Sequence, residues 1–332
     1  MSRAEAYVDT IIARPRIYWV DDHQVLFQGF LKAEDINKNN QRRALLFDVR
    51  TKRVEDRGVI GGGLCYHDGY VRYGRYIPDG KPKEGESRWI AGRFGQERPV
   101  FESRPPQPEG KLFDADWECR PDQRLPPLPA GLPEFENGRR WVLRLRPEHG
   151  FLEYASAPEG FIDYPVRLIP PGAQAKDGYP IAELRGYPVY PPGYYPFKQA
   201  YWLQPSHPEI PTPLGREVRS WWLYPDGKLE AVHRAVRRSS SEPNATVPSI
   251  PTRAGYYLIK PRNFRDSAIG QAGLYRYSDS GEHLRVLRGE IGGWAVSPDG
   301  CRLAVGLDER EVKSAGDAYV LHAIELCEAA KQ

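Results

Sequence analysis

The sequence predicts an all-β protein built from repeated four-stranded units. Three observations carry that expectation. Six segments of similar form recur along the chain. Gly 32 and Pro 32 punctuate it with turns and leave little room for long helices. Runs of Val, Ile, Leu, Tyr and Trp lead up to turns of Gly, Asp, Pro or charged residues, which is the pattern of strands joined by hairpins.

The recurring segments are ALLFDVRTKRVED (44–56), RWIAGRFGQERPVF (88–101), RWVLRLRPEHGFLEY (140–154), SWWLYPDGKLEAV (220–232), GLYRYSDSGEHLRVL (273–287) and AYVLHAIELC (318–327). The first five each read as a hairpin. The sixth keeps only the first half. Most follow another strand-like pair. IYWVDDHQVLFQGF (17–30) turns at Asp21 and Asp22, and GLCYHDGYVRYGRY (63–76) turns at Asp68-Gly69, a strong hairpin signal. GYYPFKQAYWL (193–203), AGYYLIKPRNF (254–264) and GWAVSPDGCRLAVGL (293–307) precede the fourth, fifth and sixth. The third is preceded only by KLFDADWECRP (111–121), one strand without a clear partner.

Pairs of hairpins at an average of about 55 residues per unit are the sequence form of a β-propeller. A single four-stranded blade cannot bury both of its faces, and radial packing supplies the missing surface. Closing the ring removes the edge between first and last blades. The expected fold is therefore one β-propeller domain over residues 1–332, with six blades favoured and seven as the rival. The rival rests on FIDYPVRLI and PIAELRG within 159–193, which would form a degenerate extra blade. An array of two-sheet sandwiches is the other alternative. The half-repeat at the end lacks a fourth strand, and AYVDTIIARP (6–15) has no unit of its own. Residues near 7–14 are thus expected to complete the last blade and join the two chain ends.

The stretch WAVSPDGCRLAVG (294–306), with its turn at Ser297, Pro298, Asp299 and Gly300, resembles the strand–turn–strand signature of TolB-like and WD40-like propeller repeats. Pro presets φ, Asp bonds the turn backbone and Gly accepts positive φ. Two further Pro-Asp-Gly triplets lie at 78–80 and 225–227. The Gly-His and Trp-Asp pairs of WD40 repeats are missing. The resemblance implies the propeller fold and little about activity.

Charge and composition bound the function. The 47 basic and 44 acidic residues leave +3, which gives no nucleic-acid footprint. No run of about 18 apolar residues is present, so no transmembrane helix is expected. Glu5 and Asp9 interrupt the only apolar stretch near the start. The chain reads as cytoplasmic if Met1 is native, and as periplasmic if a signal peptide has been removed from it. The cysteines are Cys65, Cys119, Cys301 and Cys327, with no CxxC pair. They read either as buried thiols or as a disulfide framework in an oxidising compartment. In the second case the pairs would be Cys301–Cys327 and Cys65–Cys119, the first because Cys301 is early in one strand and Cys327 late in its antiparallel neighbour.

No motif selects a catalytic or metal site, and no cofactor is expected. The seven histidines, His23, His67, His149, His207, His233, His283 and His322, show no HExxH or HxH spacing. His23, His67, His149 and His283 read as solvated turn residues. No GxSxG elbow is present. Gly61-Gly62-Gly63 precedes a strand pattern, not a helix, and reads as a connector. Asp21/Asp22 read as turn formers and Asp114/Asp116 as loop acids, and the sequon at Asn244 lies in a polar loop.

Two Pro- and Tyr-rich stretches, 103–138 and 159–215, read as long, stiff loop insertions. They bring Trp117, Tyr187, Tyr190, Tyr194, Tyr195 and Trp202, the residue types that dominate interfaces. These aromatics either pin the loops to the blades or bind a partner. The expected function is a non-enzymatic propeller that binds another protein, by analogy an inhibitor or immunity-type bacterial protein. The alternative is a carbohydrate- or small-ligand-binding propeller, with a central-channel hydrolase as its enzymatic branch.

Overall fold

The computed structural model describes residues 1–9, 16–36, 38, 41–77, 89–100, 112–113, 129–131, 140–146, 148–155, 165–185, 193–203, 218–233, 249–260, 271–277, 283–308 and 319–327. Among them the chain is all-β, with several small antiparallel sheets and two 3-10 turns at Ala33–Asp35 and Ala175–Asp177. No helix of the described residues is long and apolar enough to cross a membrane. The chain forms two compact units. Unit 1 holds residues 1–105, 118–121 and 247–332, and unit 2 holds 106–117 and 122–246.

Unit 1 begins with β1 (Ser2–Val8), β2 (Ile17–Trp19), β3 (Gln24–Phe30), β4 (Arg43–Asp48) and β5 (Arg53–His67). Strands β2 to β5 form an antiparallel meander. Asp21 Oδ1 accepts the backbone N–H of His23 at 2.6 Å and of Gln24 at 2.8 Å, which builds the β2–β3 turn. β5 runs 15 residues and bends at Gly62 and Gly63, where φ is +107° and +70°. Its second half pairs with β6 (Tyr70–Arg75), followed by β7 (Trp89–Arg93) and β8 (Arg98–Val100). Asp68 and Gly69 both have positive φ in the β5–β6 turn, as a two-residue type I′ hairpin requires.

Unit 2 holds β9 (Leu112–Phe113), β10 (Arg140–Arg144), β11 (Phe151–Ala155), β12 (Pro165–Ile169) and β13 (Tyr179–Arg185) in one sheet. A second sheet is β14 (Gly193–Tyr195), β15 (Ala200–Leu203), β16 (Val218–Leu223) and β17 (Leu229–His233). Pro180 is tolerated because β13 is the edge of its sheet.

Unit 1 resumes with β18 (Ser249–Thr252), β19 (Gly255–Lys260), β20 (Gly273–Tyr277) and β21 (His283–Arg288), again a meander. It ends with β22 (Glu290–Val296), β23 (Arg302–Asp308) and β24 (Tyr319–Glu325). β1 pairs antiparallel with β24 in the register Ser2↔Ala323 to Val8↔Tyr319, so residues from the two ends of the sequence share a sheet.

The sheets bury both faces. On one face of β3 and β4, Val25, Phe27, Leu45 and Phe47 pack with Ala4, Ala6, Ala304 and Leu321. On the other, Leu26, Ala44 and Leu46 pack with Ile60, Leu64 and Val71. The far face of β23 and β24, with Leu303, Val305 and Ile324, meets Ile250, Tyr257, Ile259 and Leu274 of the β18–β21 sheet. In unit 2, Leu152, Leu168 and Ile181 meet Tyr201, Leu203, Trp221 and Leu223. Each fully buried Leu or Phe contributes roughly 1.5–3 kcal/mol.

Four sequence expectations change. The strand beside β24 is Ser2–Val8, where 7–14 was expected, and residues 10–15 lie outside the described residues. Its signal is the alternation of small buried Ala4, Ala6 and Val8, easily overlooked because alanine is a poor strand former. The 140–154 hairpin was expected to close a unit begun at 111–121; β9 of that segment does pair with β10, in parallel, but the sheet runs on past the hairpin into β12 and β13. Accordingly, 159–215 contains strands β12 to β15 besides loops. Lastly, separate blades were expected, yet eleven strands of unit 1 form one open hydrogen-bonded sheet. The cause is local: β5 runs unbroken from one meander into the next, and β1 pairs with β3 as well as β24. Only glycine fits at Gly29, where a Cβ would sit 2.1 Å from the Tyr7 carbonyl oxygen.

Candidate recognition site

The turn between β10 and β11 is closed by Leu145 N–H donating to Gly150 O and His149 N–H donating to Arg146 O, at 3.1 and 2.8 Å. Gly150 has φ +84°, and a Cβ there would strike the Ile169 carbonyl oxygen. This turn docks on Tyr201 of β15. Arg146 N–H donates to the Tyr201 hydroxyl at 2.8 Å, and His149 Nδ1 lies 2.9 Å from the same oxygen. The oxygen accepts the amide, leaving its own proton for Nδ1 of a neutral imidazole. Burial lowers the His149 pKa, against Glu148, which raises it, and with Arg146, which lowers it further. Burial likewise raises the Tyr201 hydroxyl well above its ordinary value.

Tyr194 completes the group. Its ring lies 5.1 Å from Tyr201 and 5.5 Å from His149, and the Arg146 guanidinium sits 4.3 Å from its centroid. Tyr194, His149 and Arg146 are all partly exposed. The cluster thus offers an aromatic face, a cation and a neutral imidazole side by side. That suits recognition of aromatic, carbonyl or carboxylate groups and supplies no activated nucleophile.

The opposite face of β15 and β16 is structural. Trp202 is 6% exposed and packs on Trp222 at 4.7 Å, and Tyr195 meets Trp222 edge-on at 5.6 Å. Burial raises the Tyr195 hydroxyl pKa. Glu230 accepts from the Tyr224 hydroxyl at 2.6 Å and pairs with Lys198 at 3.0 Å. Burial pushes the Glu230 carboxyl up, but these partners outweigh it and its pKa is lowered. The aromatics expected from sequence therefore divide: Tyr194 reaches the cluster, whereas Tyr195 and Trp202 pack into their own sheet. Trp117, Tyr187 and Tyr190 lie outside the described residues.

Sequence reading missed Arg146, His149 and Tyr201 as a group. Tyr201 is separated by 52 residues from His149, and only the stacking of two sheets unites them. Among the described residues, no three His, Cys, Asp or Glu side chains converge to hold a metal ion. Cys301 and Cys327 form a disulfide with Cα atoms 5.1 Å apart. Cys65 is also disulfide-bonded, while its expected partner Cys119 lies outside the described residues. His207, Asp114, Asp116, Asn244 and the 78–80 turn lie outside them as well.

These sheets define an all-β protein of antiparallel meanders. No protein-family model matches its sequence, and no curated protein matches it. Among solved structures it is similar to TolB from Acinetobacter baumannii, at 8% identity and a TM-score of 0.38 over 93% of this chain and 66% of that one. A putative 6-phosphogluconolactonase from Bacteroides uniformis gives 12% and 0.34 over 94% and 85%. An oligogalacturonate lyase in complex with manganese gives 13% and 0.34 over the full length of both. Likeness at that level assigns no activity to this chain.

Proposed function

We propose that the chain is a single six-bladed β-propeller that acts as a non-enzymatic binding protein for another protein. Counting meanders supports six blades: β2–β5, β5–β8, β10–β13, β14–β17, β18–β21, and β22–β24 with β1 as fourth strand. Burial of both sheet faces in unit 1 supports radial stacking.

The observation that carries the binding reading is the partly exposed Tyr194 ring in contact with both Arg146 and His149. Tyr and Arg are the usual anchors of protein interfaces. Tyr187, Tyr190 and Trp117 would extend this surface, and an inhibitory or immunity-type role is one form the binding could take. The disulfides support folding in an oxidising compartment.

The test is affinity purification of the chain from its native host, with identification of any stoichiometric partner. Tyr194→Ala combined with Arg146→Ala should lose that partner while the melting temperature shifts by a few degrees at most. Retention of the partner by the double variant refutes the site. A small-ligand function is favoured by one separate feature, the cavity described next.

A further inference from the structure

Three turns of unit 1 converge at one end of its sheets. Val49 N–H donates to the His23 carbonyl at 2.9 Å, and Ser2 Oγ donates to the Val49 carbonyl at 3.1 Å. Arg302 Nη1 donates to the Asp22 carbonyl at 2.9 Å. Between these turns and the end of β24 lies a cavity of about 150 Å³, lined by residues that include Ser2, His23, Arg50, Arg302, Ile324 and Glu325.

Its charges are unequal. Of its lining residues two carry guanidinium groups and one a carboxylate, and that carboxylate is already engaged: Glu325 Oε2 lies 2.7 Å from Arg302 Nε. Arg302 Nη1 is taken up by Asp22 and by Asp299, the latter at 3.3 Å. Nδ1 of His23 is buried and has no hydrogen-bond partner. Arg50 stands at the rim with its side chain 65% exposed, in only a loose pair with Asp48 at 3.9 Å.

We infer that this cavity is a binding site for a small oxyanion, a carboxylate or phosphate group. An anion's oxygens supply the partner that the buried His23 Nδ1 lacks, with Arg302 beside it and Arg50 as a second cation. A cation finds no free carboxylate there. The volume admits an ion the size of phosphate or a short dicarboxylic acid. The site lies in unit 1 and rests on none of the residues assigned to protein recognition.

Isothermal titration of the full chain with inorganic phosphate and, separately, with malonate at constant ionic strength tests the site. Saturable one-to-one binding of at least one anion, at about 1 mM or tighter, is expected. The anion that binds more tightly identifies the group recognised. Arg50→Gln is exposed and should leave folding intact while weakening binding by about tenfold. His23→Ala should weaken it similarly. Absence of saturable binding for both anions overturns the assignment, as does binding that neither substitution changes.

Discussion

Arg302 reaches the main-chain carbonyl of Asp22 across 280 positions of sequence, donating from Nη1 at 2.9 Å. Beside it, the Asp299 N–H donates to Asp22 Oδ1 at 3.0 Å. The Ser297–Gly300 turn is thereby stitched to the β2–β3 turn, one hairpin of the eleven-stranded sheet to another. It is prepared locally for this: Arg302 N–H donates to Ser297 Oγ at 2.8 Å, and Cys301 N–H to Asp299 Oδ1 at 2.9 Å. Arg302→Ala should therefore destabilise the protein by about 2 kcal/mol, since charge-assisted bonds are lost and the half-buried Asp22 carbonyl loses its donor. Urea titration measures this as a lower midpoint at unchanged slope. A midpoint like that of the parent protein would show that the stitch contributes nothing.

The Cys301–Cys327 bond closes a loop with a sequence separation of 26. Restricting the unfolded chain in this way is worth about 3 kcal/mol. The double substitution Cys301→Ser, Cys327→Ser should lower stability by that order and leave the far-ultraviolet spectrum unchanged. Equal stability of the two proteins would contradict the prediction.

Asp9 is 2% exposed, lies 2.6 Å from Arg42 Nε and accepts from Gln28 Nε2 at 2.8 Å. Gln28 Oε1 in turn accepts from Leu64 N–H at 3.2 Å. Removing the carboxylate leaves a buried guanidinium uncompensated, so Asp9→Ala should cost about 3–5 kcal/mol. Asp9→Asn keeps an acceptor and should cost less. The ranking is checked by chemical denaturation, and the reverse order would refute it.

His149 should make stability depend on pH. Its folded pKa is lowered, chiefly by burial, whereas the unfolded residue titrates near about 6.5. Below that pH the unfolded chain binds a proton that the folded chain refuses. The contribution is therefore complete above about pH 6.5 and is lost as pH falls through the folded value. His149→Asn retains an acceptor for Tyr201 but does not titrate. Its stability should fall less steeply between neutral and mildly acidic pH than that of the parent, as thermal melts across that range will report. Parallel slopes would place the proton elsewhere.

The strands themselves were readable because strand signals are local. The apolar run Val25–Phe27, the Asp68-Gly69 turn and the Ser297–Gly300 turn act through neighbouring φ, ψ and hydrogen bonds. The union of a strand near the start with β24 was legible for a related reason, since the last repeat visibly lacked a fourth strand.

Partner choice was not readable in the same way. Whether the 140–154 hairpin ends its sheet or continues into β12 depends on β12, and nothing within the hairpin distinguishes the two. The His149–Tyr201 contact and the cavity beside His23 arise where separate sheets and turns stack, so their residues carry no shared spacing. Short-range rules of side-chain alternation and turn chemistry fix which segments are strands. Long-range burial of apolar faces selects their neighbours, and it is this selection that brings Arg146, Tyr194 and Tyr201 together.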